Sequence, residues 1–236
     1  MHVVLVTHDS IFGRYLAASL YAAGKIDQLI IETGRPSWRF YWRKLGRVGP
    51  INAVFQVLLN RWFRREGAQH LPDLPLPPHS TVASINGFPF GDEDLVIGFG
   101  TSIITARTLA GMPHGFLNLH TGWLPDFRGV KSEFWTIARG DGANAGWTLH
   151  YMTPRLDDGD IVLRRSVPLT GENAAQLRAK LLQDAVPAVA EFIDRVRQHG
   201  FAAISRHPQI GGHYFTTPTW REWLASRRTG VTASTR

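Results

Sequence analysis

Asn118 and His120 end an otherwise apolar stretch, FLNLH at residues 116–120, which continues into the turn-like segment TGWLPDFRG. The apolar residues around them predict a buried strand, and side chains two positions apart project from the same face of a strand. Asn118 and His120 should therefore point the same way, and an amide beside an imidazole can donate hydrogen bonds and exchange protons. The simpler interpretation is that both satisfy backbone groups beside a loop.

A second polar cluster lies in MTPRLDDGDIV, residues 152–162, where three acids and a glycine fill a short connection before a strand. Asp and Gly favour turns, so a solvated turn is the simpler interpretation of this segment alone. An aspartate from this turn that met His120 would instead indicate a functional site. The residues leave both interpretations open.

The elements that would position these residues alternate between strands and helices. Apolar runs at 3–7 and 28–32 flank a helical stretch, Ile11 to Ala23, which predicts a βαβ opening. Further strands are predicted at 95–100, 116–120, 146–152 and 160–169, a short helix at 101–111 and a long helical region at 172–198.

This alternation predicts an α/β fold with a Rossmann-like, doubly wound and mostly parallel sheet. Ligands of such sheets bind beyond the carboxyl ends of the strands, where Asn118 and His120 should lie. Neither GxGxxG nor GxxxxGK[ST] follows the first strand, so dinucleotide dehydrogenases and P-loop enzymes are disfavoured. We expect one main domain at 1–200, with a short C-terminal extension at 201–236.

Composition limits the chemistry further. The chain has no cysteine, which excludes disulfides, thiolate metal sites and a cysteine nucleophile, and its ten histidines form no HExxH pair. We expect no metal site. No run approaches 18 apolar residues, and HVVLVT after Met1 is too short for a signal peptide, so we expect a soluble, cytoplasmic protein.

The net charge of +7 is concentrated in one segment. Residues 34–66 hold eight Lys or Arg and one acid, whereas the rest of the chain holds 18 of each sign.

The basic insertion, residues 34–67, contains an otherwise apolar helix with a polar residue at every fourth position: Asn52, Gln56, Asn60 and Arg64. Such a helix should bury most of its circumference. We expect the insertion to form a helical hairpin whose arginines face outward. These arginines are either simply solvated or form an interface: a homodimer contact, a peripheral membrane contact, or a surface for phosphate-bearing acceptors. The aromatic residues that suit such an interface are Trp38, Tyr41, Trp42 and Trp62.

After this insertion, the proline-rich stretch 71–80 predicts a linker or surface loop.

The motifs NLHTGWLPDFRG, SEFWTIARGD, AGWTLHYM and LDDGDIV resemble the folate-dependent formyltransferase domain of methionyl-tRNA, glycinamide ribonucleotide and sugar N-formyltransferases. The resemblance is clear from about residue 95 to 162 and weaker from residue 1. It rests on Asn-x-His, Leu-Pro and Leu-Asp-x-Gly in this order and spacing. The chain departs from the family in the loop, at Thr121, Gly122 and Trp123.

The resemblance implies that Asn118, His120 and Asp157 are catalytic. Formyl transfer from N10-formyltetrahydrofolate to an amine passes through a tetrahedral oxyanion, which Asn118 and an imidazolium of His120 would stabilise. Asp157 would favour that imidazolium, and Asp158 is the competing candidate for this role. His120, Asp157 or a bound water could carry the proton that the amine loses. Arg128 is left without a role.

The family's pterin pocket maps onto largely apolar positions of this chain. The resemblance implies that Ser102, Ile103 and Ile104 present backbone groups to the pterin ring. The residues expected to line or close the pocket are Leu109, Phe116, Met152, Thr153 and Leu156. Plain core packing is the simpler interpretation of the apolar members.

The acceptor is less constrained than the formyl donor. Only 36 residues follow Gly200, so we expect no C-terminal barrel of the methionyl-tRNA type and no tRNA partner. THDSIFG is a poor match to the phosphate loop of glycinamide ribonucleotide enzymes. The length and the aromatic segment HYFTTPTWREW favour an amino sugar carried on a nucleotide. The alternatives are an amino-acid or peptide amine in a natural-product pathway, and a non-catalytic membrane- or nucleic-acid-binding protein on the same fold.

Overall fold

The computed structural model describes residues 1–34, 45–92 and 94–228. No helix in these ranges combines the length and the apolar composition needed to cross a bilayer. The strands are β1 (His2–His8), β2 (Gln28–Glu32), β3 (Ser80–Val82), β4 (Asp94–Phe99), β5 (Phe116–His120), β6 (Arg128–Gly129), β7 (Gly146–Tyr151), β8 (Ile161–Ser166) and β9 (Tyr214–Phe215). The α-helices are α1 (Ile11–Ala22), α2 (Pro50–His70), α3 (Ala106–Ala110), α4 (Ser132–Ala138), α5 (Ala174–His199) and α6 (Trp220–Arg228), with 3-10 turns at Gly142–Asn144 and Phe201–Ala203.

The main sheet has seven strands in the order β3-β2-β1-β4-β5-β7-β8. All neighbours from β3 to β5 are parallel, and β7 and β8 add two antiparallel pairs at one end. The predicted α/β class with a doubly wound, mostly parallel sheet is therefore confirmed. The carboxyl ends of β1, β4 and β5 meet at one edge, which is where ligands of such sheets bind.

Alternate residues of the strands feed two separate cores, as the two-residue period of a strand requires. Val3 and Leu5 lie in the larger core, which α1, α2, α4 and α5 cover. Val4 and Val6 lie in the smaller core on the opposite face, where the segment 85–112 covers them. Both faces of the central strands are thus buried, so the strands that carry the site are packed on both sides.

Two predicted elements near the site differ from the structure. The helix predicted over 101–111 is confined to α3, because Thr105 adopts an extended backbone and its side chain caps the helix at Thr108 N. The residues before it form an extended loop beside β4. The proline-rich stretch from residue 71 lacks regular structure up to β3, a short parallel edge strand that the sequence did not predict.

Helix α2 departs most from its prediction. The expectation that it buries most of its circumference is wrong, because Gln56 of the polar stripe is buried while four apolar side chains are 56–65% exposed: Ile51, Val54, Val57 and Leu58. Residues 45–48 are helical and α2 is one continuous helix. The rest of the predicted hairpin, with Trp38, Arg39, Tyr41, Trp42, Arg43 and Lys44, lies outside the described residues.

The described part of the C-terminal segment packs against the main sheet unit. Strand β9 pairs in parallel with β6, and Trp223 stacks on Phe134 of α4 with ring centroids 5.0 Å apart. Gln209 donates a hydrogen bond to the carbonyl of Asp157. The boundary between 1–200 and 201–236 stays a prediction, and residues on both sides of it reach the site.

Candidate active site

Asn118 and His120 lie on the buried strand β5, which is parallel to β4 on one side and antiparallel to β7 on the other. Both side chains are 9% exposed. They reach the same cleft, as the alternation in FLNLH predicts. A polar pair at this depth needs partners, and each residue has them.

His120 is held at both ring nitrogens. Its Nε2 lies 2.8 Å from the carbonyl oxygen of Phe127 and 3.1 Å from Ser132 Oγ. Because a carbonyl only accepts hydrogen bonds, Nε2 carries a proton and donates it to Phe127. Nδ1 lies 3.7 Å from Asp157 Oδ2. The proton that His120 can exchange is therefore the one on the side of the carboxylate.

Asp157 is a buried carboxylate on a strained turn, with a backbone φ of 50°. Burial alone would raise the pKa of the Asp157 carboxyl, but the imidazole of His120 and the N–H of Gly129 lower it to about 2. The Gly129 N–H donates to Oδ2 at 2.8 Å. Asp157 is thus ionised at neutral pH beside His120.

Asp158, the competing candidate, points away from His120. Its carboxylate pairs with Arg128 Nη1 and with Arg155 Nε, both at 2.8 Å. Arg128, which had no role in the sequence prediction, also donates to Gln209 Oε1 at 3.2 Å. The geometry therefore brings Asp157 and not Asp158 to the histidine, and it uses Arg128 to hold the turn.

His150 is a site residue that the sequence analysis missed. Its Nδ1 donates to the carbonyl of Tyr151 at 2.8 Å, which leaves Nε2 to accept a hydrogen bond from Asn118 Nδ2 at 3.1 Å. The same Nε2 lies 3.6 Å from Asp157 Oδ1. Histidine as the penultimate residue of β7 was visible in GWTLHY, but only the antiparallel register of Asn118 with His150 gives it meaning.

Two glycines permit the close packing around His120. A side chain at Gly122 would crowd the His120 ring and Ser132. Gly129 has a φ of 99°, and a Cβ there would overlap the carbonyl oxygen of Phe215. Both positions therefore require glycine for the turn that surrounds the imidazole.

A buried ion pair supports the loop behind His120. Glu133 accepts two hydrogen bonds from Arg178, from Nε at 2.6 Å and from Nη2 at 3.0 Å, and a further one from Thr121 Oγ1. Burial works to raise the pKa of the Glu133 carboxyl, yet Arg178 and Thr121 hold it below its usual value. The loop residue Thr121 is thereby fixed to α4 and α5, a connection that the sequence did not reveal.

A cleft of about 550 Å³ is lined by Asn118, His120 and Asp157. Six of the eight residues predicted to bind the cofactor line this cleft: Ser102, Ile103, Ile104, Met152, Thr153 and Leu156. Leu109 and Phe116 do not; they line an adjoining cavity with Met152 and pack in the smaller core. The six lie on the loops after β4 and β7 and form one wall, whereas α2, α5 and the start of α1 supply other lining residues.

The backbone groups of the 102–104 loop are only partly available to a ligand. The N–H and hydroxyl of Ser102 both donate to Glu32, and the carbonyl of Ile103 accepts from Asn86. The N–H groups of Ile103 and Ile104 make no hydrogen bond within the described part of the chain. Ile103 is 72% exposed and Leu156 is 40% exposed, so this wall presents apolar surface to the cleft.

No group of three or more His, Asp or Glu side chains in the described ranges is arranged to hold a metal ion. The side chains of the site supply an amide donor, two imidazoles and an ionised carboxylate. Such a set can stabilise developing negative charge and exchange protons with a bound substrate.

Residues 92–192, which include all four of these side chains, match the family model described as formyl transferase. Over this segment the chain is similar to the formyl transferase family. It is 30% identical to the methionyl-tRNA formyltransferase of Bordetella avium over 167 residues, which are 70% of this chain and 51% of that protein. The chain spans between a third and about a half of the length of the curated relatives it matches.

Solved formyltransferase structures share the fold. Rv3404c of Mycobacterium tuberculosis, inferred to be a sugar N-formyltransferase, superposes with a TM-score of 0.60 at 16% identity, covering 100% of this chain and 90% of that one. An N-formyltransferase of Helicobacter canadensis, in complex with folinic acid and dTDP-3-aminofucose, gives a TM-score of 0.58 at 15% identity, covering 92% and 71%. These likenesses establish the formyltransferase fold of the chain.

Proposed function

We propose that the protein is an N-formyltransferase that moves a formyl group from N10-formyltetrahydrofolate to the primary amine of a nucleotide-linked amino sugar. The observation that carries this proposal is the assembly of Asn118, His120 and Asp157 on one side of the cleft, within the segment that matches the formyl transferase family. A purely structural role does not explain an ionised, buried carboxylate facing a histidine in an open cleft.

In the proposed reaction, the lone pair of the acceptor amine forms a bond to the formyl carbon, and the bond from that carbon to N10 breaks. Negative charge develops on the formyl oxygen and needs hydrogen-bond donors. Asn118 Nδ2 donates one of its two hydrogens to His150 Nε2, and the second hydrogen is free to donate to the formyl oxygen. The proton that the amine loses passes through His120 Nδ1, with Asp157 as its electrostatic partner, and N10 gains a proton.

The wall that contains Ile103, Ile104 and Leu156 suits the pterin of the donor. Its exposed apolar side chains offer contact area to a flat ring, and the unpaired N–H groups of Ile103 and Ile104 offer hydrogen bonds to ring heteroatoms. The folinic acid in the Helicobacter canadensis complex supports a folate donor for this fold.

The choice of acceptor rests on the solved structures. The dTDP-3-aminofucose in the same complex supports a small nucleotide-linked amine and not tRNA, while the sequence relatives are methionyl-tRNA enzymes. We also place the reaction in the cytoplasm, where the absence of cysteine is unremarkable for a reducing compartment.

The proposal is tested by measuring tetrahydrofolate release with a panel of amines. The panel contains nucleotide-linked 3-amino and 4-amino sugars, methionyl-tRNA, and free amino acids. Release with an amino-sugar nucleotide alone supports the proposal, and release with tRNA or amino acids reassigns the acceptor. Folate binding without release for any amine would favour a non-catalytic binding protein.

The exposed face of α2 is a candidate contact surface for a binding partner. Ile51, Val54 and Leu58 continue into Arg61 and Arg65 along one stripe of the helix, and all five are exposed. Apolar side chains followed by arginines suit the surface of an anionic membrane, since lipid headgroups supply the opposite charge. We assign this stripe to a peripheral contact with anionic lipid, with a second copy of the chain as the competing occupant.

A further inference from the structure

Lys131 and Asp157 are the two residues other than glycine that have a positive φ in the described part of the chain, at 60° and 50°. The left-handed region costs an ordinary residue roughly 1–2 kcal/mol, and such strain concentrates at functional sites. Both residues line the cleft. Lys131 follows β6 and precedes α4, and nothing in the proposed reaction yet uses it.

The ammonium of Lys131 lies in a cavity without a polar partner. Its Nζ lies 3.7 Å from the centroid of the Phe63 ring. It makes no hydrogen bond and no ion pair within the described ranges. Glu133, the carboxylate nearest in sequence, is already occupied by both nitrogens of Arg178 and by Thr121. The lysine is therefore held in place while its hydrogen-bond donors stay free.

The surroundings of Lys131 carry excess positive charge. Burial, together with the Arg178 guanidinium, lowers the pKa of the Lys131 ammonium to about 7, against the opposing effect of Glu133. Arg64 of α2 lines the same wall, and Asp157 is the one acid among the described residues that line the cleft. An anion bound here would offset the repulsion between Lys131 and Arg178.

Lys131 belongs to a different part of the cleft lining from the proposed donor wall, because its ammonium lies over Phe63 of α2. Ser132, the next residue, contacts His120 Nε2 at 3.1 Å, and Phe63 belongs to α2. The donor wall is formed by the loops 101–104 and 152–157 instead. A molecule that occupies the part of the cleft lined by α2 and α5 therefore meets the ammonium of Lys131.

We propose that Lys131 is a specificity residue, whose ammonium binds an anionic oxygen, phosphate or carboxylate, of the acceptor. This inference rests on the proposed function, because it names a chemical feature of the acceptor in that reaction. The left-handed backbone directs the side chain over Phe63, and Arg64 adds a more distant positive charge. A merely structural lysine, stabilised by Phe63 alone, would leave acceptor binding unaffected by its removal.

Binding of an unreactive probe tests Lys131 separately from catalysis. UDP-N-acetylglucosamine has a pyrophosphate of constant charge and no free amine, and glucuronate offers a carboxylate without phosphate. Calorimetry in saturating tetrahydrofolate compares the native protein with Lys131→Met, Lys131→Arg and the control Lys25→Met, whose ammonium pairs with Asp194. Because no turnover is needed, failure of the proposed reaction in the release assay leaves this result interpretable.

We expect Lys131→Met to weaken binding of one probe roughly 10- to 100-fold, which is typical of a lost charge-assisted hydrogen bond. Lys131→Arg should stay within a few-fold of the native protein, and Lys25→Met should match it. The probe whose affinity falls identifies phosphate or carboxylate as the anion. Equal affinity of the native protein and Lys131→Met for both probes, or no binding of either, would overturn the proposal.

The pH profile and the backbone provide two further readouts. The charged fraction of Lys131 falls as pH rises through about 7, so native affinity should decline between pH 6 and 8.5. Glu133, Arg178, Arg64, His8, His120 and Asp157 face the same space. Lys131→Arg keeps these groups, so any pH dependence that it retains belongs to them, and the difference between the two profiles belongs to Lys131. Lys131→Gly should retain or raise the melting temperature, since glycine tolerates the positive φ, and still lose affinity. A pH profile unchanged in Lys131→Arg would contradict the assignment.

Discussion

Asn118 Nδ2 lies 3.1 Å from His150 Nε2 across the antiparallel strands β5 and β7. Since His150 Nδ1 donates to the Tyr151 carbonyl, Nε2 must accept from the amide, and this fixes which way the Asn118 side chain is turned. The amide nitrogen thus keeps its second hydrogen for a ligand. His150 acts on the reaction through Asn118 and is a positioning residue.

His150→Ala should lower kcat roughly 10- to 100-fold, because Asn118 loses the buried acceptor that orients its amide. The acceptor KM should change little, since His150 contributes to orientation and not to acceptor binding. His150→Gln should recover part of the rate because its amide oxygen can accept from Asn118. His199→Ala, at the exposed end of α5, is the control. A rise in KM at unchanged kcat would contradict a positioning role.

Ile103→Ser with Leu156→Ser should weaken binding of a non-hydrolysable folate analogue about 10-fold, since two exposed apolar contacts are lost. The measurement is the thermal shift, because a ligand at 100 times its Kd stabilises the native state by about 2.7 kcal/mol. Ile210→Ser removes an apolar side chain that is 88% exposed elsewhere and should not alter the shift. A native protein that shows no shift would count against the folate site.

Asp157 should make stability depend on pH. Its pKa of about 2 lies below the ordinary value of 3.8, so its stabilisation is present above about pH 4 and is lost as pH falls through about 2. This shift corresponds to about 2 kcal/mol at neutral pH. The difference in unfolding free energy between the native protein and Asp157→Asn should therefore shrink from pH 5 to pH 2. A difference that stays constant over this range would refute the ionised, paired state.

The stripe on α2 predicts binding to vesicles. The native protein should float with phosphatidylglycerol vesicles and not with phosphatidylcholine, and salt should weaken the binding. Ile51→Ser, Val54→Ser and Leu58→Ser together should abolish it, whereas Leu74→Ser with Ile210→Ser should not. If the native protein binds neither kind of vesicle, the proposed membrane contact is excluded. A dimer that the α2 substitutions dissociate would assign the face to a second copy.

Local sequence patterns were sufficient for most of the fold. The strands at 28–32 and 116–120 were predicted with their observed bounds because their apolar runs are short and end at turn residues. The same alternation placed Asn118 and His120 on one face. Helix α2 shows the limit of this reasoning, because periodicity identifies a stripe but does not say which neighbour covers it.

The rest of the site depends on contacts between distant parts of the chain. Nothing local distinguishes Asp157 from Asp158; the positive φ of Asp157 turns it towards His120 and leaves Asp158 to Arg128. His150 becomes a site residue only through the pairing of β7 with β5. The Glu133–Arg178 pair likewise joins two helices 45 positions apart. Such juxtapositions follow from tertiary packing, which a single sequence does not display.

The most direct test measures transfer of an isotopically labelled formyl group from N10-formyltetrahydrofolate to an amino-sugar nucleotide, followed by mass spectrometry. His120→Ala and Asp157→Asn should each lower kcat roughly 100- to 1,000-fold, because proton transfer loses either the imidazole that carries the proton or the carboxylate that supports that imidazole. Asp158→Asn is the matched control, since its carboxylate pairs with Arg128 and Arg155 and not with His120, and it should lose far less activity than either of the other variants. Near-native transfer by the His120 and Asp157 variants, or an equal loss in Asp158→Asn, would contradict the proposed catalytic site.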